Sequence, residues 1–113
     1  MEKAEYKMIV LDLDGTLTNA KKEITPKTHD ALMQAQALGV KVVLASGRPT
    51  YGIMPLARQL HLPEHDGYIL AYNGGKIISC KTGETIFNQE LDPKLVPTLY
   101  KEARDAGMEM LTY

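Results

Sequence analysis

The feature that most restricts this chain is a rhythm of apolar runs. Met8-Ile9-Val10-Leu11, Val40-Lys41-Val42-Val43-Leu44-Ala45 and Tyr68-Ile69-Leu70-Ala71-Tyr72 are short and almost continuously apolar, and a helix-patterned segment separates each from the next. Apolarity without alternation predicts strands buried on both faces, as in a parallel sheet covered by helices. In the first gap, Thr25 can cap a helix, Pro26 fits its first position, and Ala31, Leu32, Ala35 and Leu38 recur at helical spacing until Gly39. In the second, Ile53, Leu56, Ala57 and Leu60 share one helical face, while Pro55 is tolerated only near the first turn or at a kink. Strand, helix, strand, helix, strand in that order predicts right-handed crossovers and an α/β fold with a doubly wound parallel sheet.

After Gly75 the rhythm changes. Lys76 to Cys80 and Glu84 to Asn88 flank Lys81-Thr82-Gly83 as the two arms of a β-hairpin. Asp92-Pro93 opens a third helix with Leu95, Val96, Leu99, Tyr100 and Ala103 on its apolar face and Gly107 as its stop, and Met108 to Tyr113 reads as one more strand. A domain boundary is expected between Ile78 and Phe87, dividing an α/β unit over residues 1–80 from the start of a second, antiparallel unit over residues 81–113.

Composition narrows the class. Of 113 residues, 44% are hydrophobic and 24% charged, which suits a globular domain and argues against disorder. The net charge of -1 shows no run of one sign, so neither nucleic acid nor an anionic membrane is expected as a partner. The apolar stretches reach about five residues, against the roughly 20 that cross a bilayer. Met1 to Lys7 is charged and lacks the apolar run of a signal peptide. The single cysteine, Cys80, cannot form an internal disulfide and reads as a packed residue, so a cytoplasmic location is expected.

The chemistry collects where the strands end. In an open α/β sheet, ligands bind outside the carboxyl ends of the strands. Three polar clusters occupy that edge: Asp12-Leu13-Asp14-Gly15-Thr16, Ser46-Gly47-Arg48 and Asn73-Gly74. Two carboxylates this close would raise one pKa unless a cation intervenes, and a magnesium ion held by Asp12 and Asp14 resolves the conflict. Asp12 beside a metal-bound phosphate can attack phosphorus, and Asp14 can protonate the leaving oxygen and then activate water. Ser46 offers a hydroxyl, and Gly47 lets a backbone N–H approach a phosphate oxygen near a helix start. These groups together orient and neutralise a transferring phosphoryl group.

These residues carry a family resemblance. Val10-Leu11-Asp12-Leu13-Asp14-Gly15-Thr16-Leu17 resembles motif I of the haloacid dehalogenase (HAD) superfamily, Leu44-Ala45-Ser46-Gly47-Arg48-Pro49 resembles its motif II in the Cof-type sugar-phosphatase branch, and Ala71-Tyr72-Asn73-Gly74-Gly75 resembles the stretch after that branch's third strand. The resemblance implies a Rossmann-like core, here incomplete, followed by the beginning of an inserted α+β cap domain. It implies Asp12 as nucleophile and magnesium ligand, and Asp14 as general acid/base with its backbone carbonyl as a second ligand. It implies Ser46 and Gly47 as phosphate holders, with Arg48 and Asn73 lining the site and Thr16 supporting the loop. The activity implied is a Mg²⁺-dependent phosphatase for a small phosphorylated metabolite, a sugar phosphate by resemblance, working through an aspartyl-phosphate. The family's downstream lysine and acidic metal motif are absent from these residues, so the 113 residues resemble an N-terminal portion and are expected to be inactive alone.

Plainer readings stand beside these. Asp12 and Asp14 could close a strand as turn residues, Ser46-Gly47 could only cap a helix, Asn73-Gly74 could only turn the chain, and Arg48 could form a surface ion pair. His29, His61 and His65 lack metal-ligand spacing and read as solvent-facing or capping residues. The function alternatives are a phosphomutase of the same superfamily and a non-catalytic, truncated metal- or phosphate-binding domain. Oligomeric state is left open.

Overall fold

The computed structural model describes residues 5–112 of the chain. Five strands form one sheet in sequence order: β1 (Met8–Asp12), β2 (Lys41–Ala45), β3 (Tyr68–Ala71), β4 (Lys76–Ser79) and β5 (Thr85–Asn88). Strands β1, β2 and β3 are mutually parallel, and β3, β4 and β5 run antiparallel. Helix α1 (Pro26–Ala37) makes the first crossover and α2 (Thr50–Gln59) the second, while α3 (Val96–Asp105) follows the sheet. The α/β class is as expected. The hairpin β4–β5 extends the sheet of β3, because Ala71 pairs with Lys76 and Tyr68 with Ser79 across the turn.

Local chemistry explains the helices. Thr25 is the N-cap of α1, its hydroxyl accepting from the Thr28 backbone N–H at 3.3 Å, Pro26 follows at the first position, and Gly39 leaves the helix at φ 89°. Helix α2 buries Ile53, Leu56 and Ala57, and Leu60 just beyond it, as the sequence spacing predicts. Pro55 lies inside α2 rather than in its first turn. It leaves the carbonyl of Tyr51 without an N–H four residues on, on a residue that is 70% exposed and can use water instead. Asp92 caps the start of the third helical segment by accepting from the Lys94 N–H at 2.9 Å.

Both crossover helices pack on one face of the sheet. Leu32 of α1, Ile53, Leu56 and Ala57 of α2, Val42 and Leu44 of β2, and Ile69 and Ala71 of β3 form one buried cluster. Two side chains lock α1 to the end of α2. Gln36 donates to the Leu60 carbonyl at 2.8 Å, and a ring nitrogen of His29 lies 3.0 Å from the Gln59 carbonyl, the capping role expected of that histidine. Cys80 is buried in the same cluster, as expected, and burial pushes its thiol up to about 11.

The opposite face corrects one expectation. Continuous apolarity predicted burial of β1 on both sides, yet Val10 is 57% exposed and Met8 50%. β1 sits at the sheet edge with helices on one side only, whereas Val42, Val43 and Leu44 of the central β2 are all buried. Two further expectations meet the same limit. Leu95, Val96, Leu99 and Tyr100 do share the apolar side of the third helical segment, but each is at least 40% exposed. Residues 108–112 form no strand, although the outer edge of β5 has no partner strand among the described residues, and Tyr113 lies outside the described residues.

Candidate active site

The parallel register places three strand ends side by side. Asp12 pairs with Ala45, and Ala45 with Leu70, so the chain leaves each strand at the same level. The loops beyond are then laced together. The Asn73 N–H donates to the Ser46 carbonyl at 3.1 Å, the Tyr72 N–H to the Arg48 carbonyl at 3.0 Å, and the Ser46 N–H to the Leu70 carbonyl at 3.0 Å. The result is a cleft of about 310 Å³ lined by Asp12, Ala45, Ser46, Gly47, Leu70, Asn73 and Gly74. The expected convergence of the three polar clusters is therefore present in space.

The Asp12–Thr18 loop is built by alternation. Leu13 and Leu17 point into the core, fully or almost fully buried, which turns Asp12 and Asp14 outward. The chain reverses at Gly15 (φ 81°), and the reversal is held by the Leu17 N–H on the Asp12 carbonyl and the Thr16 and Thr18 N–H groups on the Leu13 carbonyl, each at 3.1 Å. Thr18, not Thr16, is the supporting hydroxyl. It is 3% exposed and donates to the Leu13 carbonyl at 3.1 Å, whereas the Thr16 side chain is exposed and makes no hydrogen bond among the described residues. A threonine one place beyond the motif, next to an inward leucine, was the signal that motif reading passes over.

Asp12 presents its carboxylate to the cleft with no hydrogen-bond or ion-pair partner among the described residues. Ser46 Oγ accepts from the Arg48 N–H at 3.1 Å, which leaves the hydroxyl proton available to an anion. Gly47 lies close against Asn73: a Cβ there would stand 3.0 Å from Asn73 Oδ1 and 3.3 Å from Nδ2, so the Asn73 amide would have to give way to it. Asn73 is one of three consecutive left-handed residues, Tyr72 (φ 53°), Asn73 (φ 56°) and Gly74 (φ 91°). Such backbone is held only where surrounding bonds over-determine it, and the lacing to Ser46 and Arg48 does so. Asn73-Gly74 is thus a turn and a wall of the cleft at once.

Asp14 differs sharply from Asp12. Arg48 Nε donates to its Oδ2 at 3.1 Å and Nη2 to its Oδ1 at 2.5 Å, while Nη1 is anchored on the Gly52 carbonyl at 3.1 Å. Lys22 Nζ lies 2.8 Å from Oδ1 of the same carboxylate. Arg48 is not among the residues lining the cleft; it forms the ion pair of the plainer reading, with Asp14 as its partner. The hydrogen bonds from Arg48 and then Lys22 hold the Asp14 carboxyl down to about 2. The rise expected for one member of a crowded acid pair does not occur at Asp14, because the protein supplies its own cations there.

A folded value below the ordinary 3.8 means that the ion pairs stabilise the fold above about pH 4 and are lost as pH falls through about 2. Carboxyl-carbon NMR is expected to place the Asp14 midpoint near that value, and Arg48→Met to move it up toward 3.8. An unchanged midpoint in Arg48→Met would show that Arg48 is not the cause.

No group of three or more metal-binding side chains of the His, Cys, Asp and Glu type occurs among the described residues. The Asp14 backbone carbonyl accepts none of the loop's hydrogen bonds, whereas those of Asp12 and Leu13 do. Together with the unpaired Asp12 carboxylate, it makes a hard, oxygen-only donor pair of the kind Mg²⁺ accepts while keeping waters and phosphate oxygens as its other ligands. The Asp14 carboxylate, expected as a metal ligand, is instead occupied by Arg48 and Lys22.

A strand-end cleft in an α/β sheet, with one unpaired carboxylate beside a hydroxyl and backbone amides, lies where such sheets bind their ligands. The model of the haloacid dehalogenase-like hydrolases matches residues 9–113, and the chain belongs to that family. A crystal structure of a haloacid dehalogenase-like hydrolase from Bacteroides thetaiotaomicron is 51% identical and superposes with a TM-score of 0.88, over 96% of this chain and 41% of that one. YxeH of Bacillus subtilis is 38% identical over 107 residues, 95% of this chain and 38% of its own length. The 5-amino-6-(5-phospho-D-ribitylamino)uracil phosphatase YwtE of the same organism is 37% identical over 71 residues, 63% of this chain and 23% of its own. The chain thus spans less than half the length of each of these relatives. No helix among the described residues is long and apolar enough to cross a membrane.

Proposed function

We propose that this chain carries the nucleophile half of the active site of a Mg²⁺-dependent phosphatase acting on small phosphorylated metabolites, sugar phosphates foremost. The observation that carries the reading is the partnerless Asp12 carboxylate facing Ser46, Gly47 and Asn73 across one cleft. A phosphate ester seated there has its oxygens against the Ser46 hydroxyl, the Gly47 backbone and the Asn73 side chain. An Asp12 oxygen attacks phosphorus, the bond from phosphorus to the ester oxygen breaks, and the leaving oxygen takes a proton from Asp14. Water then gives a proton to Asp14 and attacks the same phosphorus, freeing phosphate and restoring the Asp12 carboxylate.

Asp14 begins as a carboxylate clamped by Arg48 and Lys22, which is the base form. Asp14 takes the proton it passes to the leaving oxygen from a monoprotonated ester as Lys22 turns toward that incoming group, and it gives water's proton up to solvent as phosphate departs. Bound Mg²⁺, held by the Asp12 carboxylate and the Asp14 carbonyl, would offset the charge that gathers on the phosphoryl oxygens. YwtE, a relative named for a phosphorylated small molecule, supports the substrate class.

Phosphate release from a panel of sugar phosphates by the full gene product tests the reading. Chelation of divalent metal is expected to lower turnover by about a hundredfold or more, with recovery on adding Mg²⁺. Release that persists after chelation would refute the metal requirement. Interconversion of sugar phosphates without net phosphate release would replace hydrolysis with phosphoryl transfer back to sugar.

A further inference from the structure

The geometry points to Lys22 as a specificity residue that recognises a second anionic group on the leaving-group side of the substrate. The inference rests on the phosphoryl-transfer reading of the cleft. Lys22 lies outside every motif, eight residues after Asp14, yet its Nζ reaches that carboxylate at 2.8 Å. It is delivered by a tight turn organised by Asn19. Asn19 Oδ1 accepts from the Lys21 and Glu23 N–H groups at 2.9 and 3.1 Å, the Asn19 N–H donates to the Glu23 carbonyl at 2.9 Å, and the Lys22 N–H donates to the Asn19 carbonyl at 3.0 Å. Lys22 sits in the left-handed region at φ 62°, a conformation that glycine or asparagine adopts with less strain. A long cation at the position aims its charge back across the loop at the site.

Three observations set the ligand chemistry. The first is charge. Lys22 and Arg48 both converge on Asp14 and neither meets another acidic side chain among the described residues, so one positive charge is left uncompensated there. The second is position. Neither cation lines the cleft of Asp12, Ser46, Gly47 and Asn73, where the proposed reading seats the phosphoryl group. Both grip Asp14, and a group that passes a proton to the leaving oxygen must lie beside it, so its cations flank the leaving group. The third is freedom to exchange. Arg48 is tied by three hydrogen bonds, one of them to the Gly52 carbonyl, whereas Lys22 makes a single contact with a side chain 66% exposed. Lys22 is therefore the cation that can leave Asp14 for a carboxylate or second phosphate carried by the substrate. That same exchange loosens the clamp on Asp14.

Non-hydrolysable probes test this by amide chemical-shift titration of the protein: ethylphosphonate, and 3-phosphonopropionate, which adds a carboxylate to the same phosphonate. The wild type is expected to bind 3-phosphonopropionate about fivefold more tightly, the scale of one partly exposed ion pair. In Lys22→Gln the ratio of the two affinities is expected to fall to about one, in Lys22→Arg to persist, and in Lys21→Gln, which removes a neighbouring charge without an ion pair, to persist as well. A purely structural role for Lys22 would weaken both probes alike and keep the ratio, which overturns the inference. A wild type that binds the two probes equally overturns it too. If neither probe shifts the Ser46, Gly47 and Asn73 amides, the phosphate-site reading itself falls, and the inference with it.

Discussion

Asp12→Asn in the full gene product is expected to reduce phosphate-ester turnover by at least about a thousandfold while leaving the fold intact, because loss of a covalent nucleophile removes the reaction path itself. The substitution keeps size and shape but replaces an anionic oxygen by an amide that cannot form the acyl phosphate. Asp12 is exposed at the end of β1 and has no ion pair among the described residues, so the exchange breaks no stabilising contact. Unfolding midpoints of variant and parent should therefore agree. Binding gives a second readout. Removing a negative charge from a cleft that receives a phosphate dianion lessens repulsion, so phosphonate affinity without metal should hold or rise. Turnover within tenfold of the parent would place the nucleophile elsewhere and overturn the proposed function.

Gly67→Ala carries the largest expected effect on stability, about 3 kcal/mol, the upper end of the usual range for forcing an atom into a filled core. A Cβ at that position would stand 2.5 Å from Leu62 Cγ, 2.8 Å from Leu62 Cβ and 2.9 Å from the Val42 backbone oxygen. Neither neighbour can yield. Leu62 is fully buried, and Val42 belongs to the central strand with its own side chain fully buried. The glycine is also fixed on both sides, its N–H donating to the Leu62 carbonyl at 2.9 Å and its carbonyl accepting from the Cys80 N–H at 3.0 Å. Sliding the backbone would break the start of β3 and the end of the β4 segment together. Urea denaturation should show a lower midpoint at an unchanged slope. A midpoint within error of the parent would show that the junction of β3 with the Leu62–His65 turn is soft.

Much of the parallel half was legible because its signals are local. The cap at Thr25, Pro26 after it, the stop at Gly39, and the inward faces Ile53-Leu56-Ala57-Leu60 each depend on neighbours within a few residues, and all are seen. The hairpin limits agree within a residue. The misses are those in which a partner decides. Val10 and the third helix's apolar side are exposed for want of packing partners among the described residues, and residues 108–112 form no strand. Apolarity states a preference for burial; it does not supply the surface that satisfies it.

The segment from Leu11 to Leu17 follows the same division. By itself the sequence determined which chemistry is on offer: two acids after an apolar run, a turn at Gly15, and further polar clusters at the next two strand ends. Only the tertiary structure decided how the two acids differ. Parallel register set Asp12 against the Ser46 and Asn73 loops with its carboxylate unpaired, while Arg48 from beyond β2 and Lys22 from a folded-back turn claimed Asp14. Those partners are 34 and 8 residues away. No periodicity links them to Asp14, because an ion pair depends on where side chains meet in space, and strand register and loop closure set that meeting point.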